Sequence, residues 1–348
     1  MSISLYKISE QMKQESPVFI VGVPRSGTTI LYRTIQQHAN FSITKSDQPS
    51  KVQLSETAVF KNPYNTYLNQ ETCANSDSEP FQFMLRNSEL QEQFNQVTEP
   101  IQKFQRYFWG KELFQKSLSR IRLIPESSRT SLWSSMKNDL LIRSFFYFAK
   151  QSRGTQRLIE KTPKHIFYLP EIRRTFPKAK IIFVSRHPID GFSSYRMRLK
   201  VSLDKNIDPR HLDWLKISPQ VFCNQYSAQL KIALKEASLH PNSFKIVRYE
   251  DFTNNLRSTL ENLFNFLGEK FEDNCIPKDE NDQVKEKLDL HVWGNITKKT
   301  KNWQDFIDWQ DAAYIEYRLS EMINTIRCRP YISPERQLPV KLARVGGR

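Results

Sequence analysis

Between residues 22 and 29 the chain places one cation and three hydroxyls in a turn flanked by glycine: Gly22, then Arg25, Ser26, Gly27, Thr28 and Thr29. Backbone N–H groups in such a turn, added to those of a following helix N-terminus, favour a cluster of anionic oxygens. A second reactive group is Glu160–Lys161, at the end of a short apolar run and just before Thr162–Pro163. A lysine ahead of a helix start opposes the helix dipole, so a purely structural role fits it poorly. A third is Arg186 with Ser194 eight residues later. An arginine at a strand end and a serine two turns into the next helix converge on one oxyanion. A phosphate suits both, because the guanidinium donates a bidentate pair and the hydroxyl a third bond. The other reading of this third group is an Arg186–Asp190 surface pair beside an unrelated serine.

Gly22 and Gly27 stand where a Walker A loop has its glycines, yet Thr28 takes the place of the lysine that reaches β- and γ-phosphates. The loop is therefore expected to hold something other than an NTP triphosphate.

These groups need strands that end on one edge and helices that begin there. Val18–Val21 is an apolar run of the kind buried in a parallel sheet, and Ile30, Leu31, Thr34, Ile35 and His38 follow at helical spacing. Further strands are predicted at 41–44, 158–159, 180–184 and 244–247. Helices are predicted at 91–115 (broken near Pro100 and Gly110), 131–150, 169–176, 212–237, 252–267 and 304–326. Thr162 is expected to cap a helix opened by Pro163, and Gly268 to end another. Strand ends facing helix N-termini are where open α/β sheets bind ligands. The fold class predicted is α/β, a P-loop-like central parallel sheet flanked by helices, with a helical insertion. One domain over 1–330 is expected, with the insertion at about 48–150 and a flexible tail over 331–348. In the insertion Tyr107, Phe108, Trp109 and Phe114 either line a cleft or form core. His38 and His165 are read as structural hydrogen-bond partners.

The PRSGTT loop, the EKTP element at 160–163, the Arg186-to-Ser194 spacing and RYEDF at 248–252 together resemble the sulfotransferase superfamily over roughly residues 16–305. By that resemblance Arg25, Ser26, Gly27, Thr28 and Thr29 hold the 5′-phosphosulfate of 3′-phosphoadenosine 5′-phosphosulfate (PAPS), and Arg186 with Ser194 binds its 3′-phosphate. The 3′-phosphate is what separates PAPS from ATP or GTP. Lys161 reaches the bridging oxygen of the donor, where its ammonium stabilises charge on the leaving phosphate. Tyr249 lies near the adenine, or else is core. Lys298 and Lys299, ahead of Trp303, match a basic loop that contacts the 3′-phosphate, although the spacing departs from the family's. Where relatives carry a glutamate that takes the acceptor's proton, the nearest acid is Asp47, otherwise a turn aspartate. The resemblance implies a small-molecule or glycan acceptor, with a carbohydrate or glycolipid hydroxyl indicated by EKTP. It implies release of 3′,5′-ADP and needs no metal, since cationic side chains supply the charge.

Lysine and arginine number 52 against 37 acids, a formal charge of +15, which raises the local concentration of anions. No helix-turn-helix, RNP or zinc-finger pattern accompanies that charge, so no nucleic-acid partner is expected. The cysteines Cys73, Cys223, Cys275 and Cys328 are scattered without metal or disulfide spacing, as suits a reducing compartment. The N-terminal residues have no apolar core of a signal peptide and no stretch approaches eighteen apolar residues, so no transmembrane segment and a cytoplasmic location are expected. Oligomeric state leaves no mark in the sequence. Two alternatives stay open: a P-loop kinase, which lacks the Walker lysine and an evident Mg²⁺-holding acid, and a basic nucleic-acid-binding protein on a degenerate nucleotide fold.

Overall fold

Four apolar runs form the sheet, in the order β2-β1-β3-β4. They are β1 (Val18–Gly22), β2 (Ile159–Lys161), β3 (Lys180–Ser185) and β4 (Phe244–Arg248). The computed structural model of the protein describes residues 4–45, 54–57, 59–60, 89–90, 92–99, 126–276 and 302–332. Every residue of β1 is buried, as a strand covered on both faces requires. β2 runs parallel to β1, with Val18, Phe19 and Ile20 opposite Ile159, Glu160 and Lys161. The expected class, a central parallel sheet flanked by helices, is the one observed.

The chain divides into two compact units, Met1–Ile20 with Tyr32–Ile181, and Val21–Leu31 with Ile182–Arg348. The first is built around Phe19, whose ring meets those of Phe60, Phe146 and Phe176 at 5.7, 5.8 and 5.8 Å between centroids. Helix α1 (Leu5–Gln14) begins at Ser4, whose hydroxyl accepts from Lys7 N, and buries Ile8 and Met12. Helix α2 (Thr28–Ile35) follows the loop after β1. Helix α3 (Glu126–Arg153) buries Leu141, Ile142, Phe145, Phe146 and Phe148, so this part of the predicted insertion is core. Arg143 of α3 donates to the carbonyls of Thr175 (2.8 Å) and Arg174 (3.0 Å), which end α4 (Leu169–Thr175). A cation there satisfies carbonyls that the helix leaves open.

The strand expected at 41–44 does not form. Phe41 and Ser42 donate back to the His38 carbonyl, and Thr44 and Lys45 to that of Arg153, so these N–H groups are used in turns. The free edge of β2 is taken instead by residues 54–56, through a parallel bridge of Ser55 with Lys161.

In the second unit the order is α5 (Pro188–Asp204), α6 (Pro219–Leu239), β4, α7 (Tyr249–Asn254), α8 (Leu256–Leu267), α9 (Trp309–Arg318) and α10 (Ser320–Thr325). Three predicted helices are shorter than expected, each for a local reason. The helix at 212–237 starts at Pro219, because Ser218 caps it by accepting from Val221 N. The helix at 252–267 is divided at Asn255. The one at 304–326 starts at Trp309, where Asp308 accepts from Asp311 N, and is divided at Leu319. Gly268 ends α8 at φ 77°, as predicted. Among the described residues no helix is long and apolar enough to cross a membrane.

Candidate functional site

The loop after β1 bends at two positive φ angles, 69° at Arg25 and 96° at Gly27. A left-handed conformation at a residue with a side chain costs energy, and such strain gathers where a backbone is shaped for a ligand. Its glycines are set by close approach. A Cβ on Gly22 would stand 2.5 Å from the carbonyl oxygen of Val184, and one on Gly27 would enter the ring of Tyr249. Ser26 is only 1% exposed, and its Oγ has no hydrogen-bond partner among the described residues. A buried hydroxyl left unpaired is costly unless something else satisfies it, so the loop fits an anionic oxygen. Thr28, the first residue of α2, is also buried, and Thr29 is half-buried.

Around this loop the second unit gathers the other predicted nucleotide residues. Arg25 Nε donates to Ser194 Oγ at 3.2 Å. Arg186 Nη1 donates to the Arg25 carbonyl at 3.5 Å, and its guanidinium lies 4.5 Å from the centre of the Tyr249 ring. The Arg186–Asp190 pair left open by the sequence is not made. Among the described residues Arg186 has no ion pair with a carboxylate, and its Nε has no partner. The peptide group that follows the arginine is pinned at both ends: Tyr226 donates to the Arg186 carbonyl at 2.8 Å, and His187 N donates to Glu250 Oε1 at 2.7 Å. Burial pushes His187 down to about 4, helped by the Arg186 charge and opposed by the backbone of Arg329. The ring is therefore neutral and can accept from Ile189 N at 3.3 Å, capping α5. The residues predicted to bind the nucleotide thus lie together, with Tyr249 facing both Gly27 and Arg186.

The first unit holds the lysine. Lys161 ends β2 opposite Ile20, and its side chain is 3% exposed against 57% for Glu56, with which it makes an ion pair. Glu56 is held there by the bridge on the edge of β2: its N donates to the Lys161 carbonyl at 2.7 Å, and Lys161 N donates to the Leu54 carbonyl at 2.9 Å. Nothing in the spacing of the sequence singled out Glu56, which lies in a polar stretch without a periodic signal.

Glu160 does not touch Lys161, because successive side chains of a strand leave opposite faces. It is fully buried and accepts from Thr57 Oγ1 at 2.7 Å and Thr162 Oγ1 at 2.5 Å, with His165 Nδ1 at 3.0 Å. Through Thr57, Glu160 ties down the segment that carries Glu56. The same bond overturns the expected helix cap, since the Thr162 hydroxyl is used on Glu160 and makes no cap bond to the 3₁₀ turn Pro163–Tyr168. His165 is a structural partner, as expected. Asp47, Lys298, Lys299 and the aromatic group at 107–114 lie outside the described residues.

A profile of the sulfotransferase family matches residues 17–273, well over half of the chain. Among solved structures, the sulfotransferase domain of the Synechococcus PCC 7002 olefin synthase aligns with a TM-score of 0.50 at 16% identity, covering 91% of this chain and 97% of that one. The sulfotransferase domain of the curacin biosynthetic pathway gives 0.45 at 17%, covering 90% and 98%. A sulfotransferase from Alicyclobacillus acidocaldarius gives 0.44 at 15%, covering 90% and 97%. Among curated proteins none matches in sequence. The likeness to the olefin synthase domain is one of fold; the profile match is one of sequence, and it takes in the loop, the buried lysine and the Arg186–Ser194 helix. On that match the chain belongs to the sulfotransferase family.

Proposed function

We propose that this sulfotransferase takes its sulfuryl group from PAPS and passes it to a hydroxyl or amine of a small molecule or glycan, releasing 3′,5′-ADP. The observation that carries the donor is the contact of Arg25 with Ser194 beside Arg186. It joins the glycine loop, suited to the 5′-phosphosulfate, to a second cluster suited to another phosphate. ATP and GTP have nothing for that second cluster. The Ser26 hydroxyl, without a partner among the described residues, and the N–H groups of the loop would supply donors for the 5′ end, and Tyr249 offers an aromatic face for a base.

In the reaction the acceptor oxygen or nitrogen attacks sulfur in line. A new bond to sulfur forms as the bond from sulfur to the bridging oxygen breaks, and the electron pair stays with the departing 5′-phosphate. Positioning and charge neutralisation carry most of such a transfer. Lys161 would neutralise the leaving phosphate. Glu56, already paired with that ammonium, is the carboxylate we assign to take the acceptor's proton, with Asp47 the candidate named by sequence. A carbohydrate or glycolipid hydroxyl is the acceptor class that goes with EKTP.

Thermal unfolding with 3′,5′-ADP, 5′-AMP and ATP at matched concentrations tests the donor. A ligand at about a hundred times its dissociation constant adds about 2.7 kcal/mol. Selective stabilisation by 3′,5′-ADP is expected; stabilisation by ATP alone, or by none of the three, overturns the assignment.

A further inference from the structure

Residues 331 and 332, placed by the sequence in a flexible tail, are docked in the second unit. Glu316, a buried residue of α9, accepts from Tyr331 N at 2.9 Å and from Ile332 N at 3.0 Å, and Ile332 is fully buried. Held by its backbone, Tyr331 lays its ring on that of His187, with centroids 3.9 Å apart and planes at 9°. Its hydroxyl donates to Asp190 Oδ2 at 2.7 Å. Burial and the neighbouring Asp190 charge push this phenol above its ordinary range, so it stays protonated and remains a donor.

Asp190 is buried in the first turn of α5, four residues after Arg186. An aspartate so close is the natural partner for that guanidinium, and the Arg186 charge partly offsets the rise that burial gives the Asp190 carboxyl; yet the two make no ion pair, and the carboxylate is hydrogen-bonded by Tyr331. From this arrangement we infer that Tyr331 is a positioning residue: by holding the Asp190 carboxylate it keeps that group from closing an ion pair on Arg186 and leaves the guanidinium for a phosphate on the ribose 3′ position. The inference rests on the PAPS reading above. It deepens that reading by naming what sets the preference for a 3′-phosphorylated nucleotide.

The test is calorimetric titration of the full chain with 3′,5′-ADP and with 5′-AMP, read as the ratio of the two affinities. Tyr331→Phe keeps the stack on His187 and removes only the donor, freeing Asp190 to turn to Arg186. It should lower the ratio about tenfold, the scale of one charge-assisted hydrogen bond. The double variant Tyr331→Phe/Asp190→Asn removes the competing charge and should restore the ratio, whereas Asp190→Asn alone should leave it at or above the wild-type value. A loss of packing would weaken both nucleotides together and would not be rescued by Asp190→Asn. A wild-type ratio that Tyr331→Phe leaves unchanged, or a fall that the double variant does not repair, overturns the role of Tyr331 while leaving the donor assignment in place. A wild-type protein with no preference for 3′,5′-ADP overturns the donor assignment, and this role with it.

Discussion

The ring of Tyr249 occupies the space that a side chain on Gly27 would need. The loop and the start of α7 are therefore fitted to each other at one point, and the φ of 96° at Gly27 adds a second demand for glycine. Gly27→Ala should lower stability by about 1–3 kcal/mol from backbone strain and collision together, and 3′,5′-ADP binding should fall with it. Adding Tyr249→Ala relieves the collision but not the φ, so it should recover only part of the stability loss. Full recovery in a denaturant titration would show that the conformation costs nothing.

The ion pair of Lys161 and Glu56 is lopsided, with a buried ammonium and a largely exposed carboxylate. The two substitutions should therefore differ in kind. Lys161→Ala leaves behind a carboxylate that water can solvate, so stability should change little while turnover falls by about 10²–10³. Glu56→Gln strands a buried charge, and should lower stability by on the order of 2–3 kcal/mol as well as slow the reaction. Unfolding and rate measured on the same two samples check this; a Lys161→Ala variant with normal turnover removes the lysine from the chemistry.

Glu160 accepts bonds from two hydroxyls and lies against His165 with no exposure to solvent. Glu160→Gln turns part of that acceptor into a donor facing donors. A stability loss of about 2 kcal/mol is expected, and turnover should fall although Glu160 lies on the face of β2 opposite Lys161, because the Thr57 tether that fixes Glu56 is weakened. Unchanged kcat in a folded variant would separate the tether from catalysis.

His187 supplies a pH dependence with a definite sign. Its folded value is held near 4 by burial, against 6.5 for the free ring. Above about pH 6.5 the ring is neutral folded or unfolded, and its contribution is complete. As pH falls from 6.5 towards 4 the unfolded chain takes up the proton first, and stability is lost at about 1.4 kcal/mol per pH unit. Burial raises Asp190, Glu250 and Glu316 above their usual ranges, and their effect runs the other way, so the wild-type curve is a sum. The difference between wild type and His187→Asn isolates the ring, since asparagine can still cap α5. Between pH 7 and pH 5 the stability of the variant relative to wild type should rise by about 2 kcal/mol; no change would mean that the ring titrates as it does in water.

Four of the five predicted strands and the glycine loop were legible because they are local: unbroken apolar runs such as Val18–Val21, and a glycine where the backbone must turn left-handed. A fixed spacing across a strand end and a helix brings Arg186 and Ser194 to the same loop, where Ser194 accepts from Arg25 and the Arg25 carbonyl accepts from Arg186. Ser218–Pro219 carries the helix-start signal, but the apolar pattern extends upstream of it through Leu212 and Trp214. Glu56 was not legible. Its place follows from backbone pairing with a strand more than a hundred residues away in sequence, and pairing of that kind is decided by which edge is free. Tyr331 escaped for a related reason, as its anchor is the carboxylate of Glu316, and a short polar C-terminal stretch carries no trace of what will accept its N–H groups.

The three residues of β2 allow no slippage. Glu160 and Lys161 are neighbours that serve opposite sides of the sheet, one bonded to Thr57 and Thr162 and the other paired with Glu56. Deleting or inserting a single residue between Leu158 and Thr162 would exchange the sides, sending the ammonium among the threonines and the carboxylate towards Glu56. Length variation in this protein must therefore be accommodated elsewhere, and the parity of this one short strand is fixed by its chemistry as firmly as its composition is.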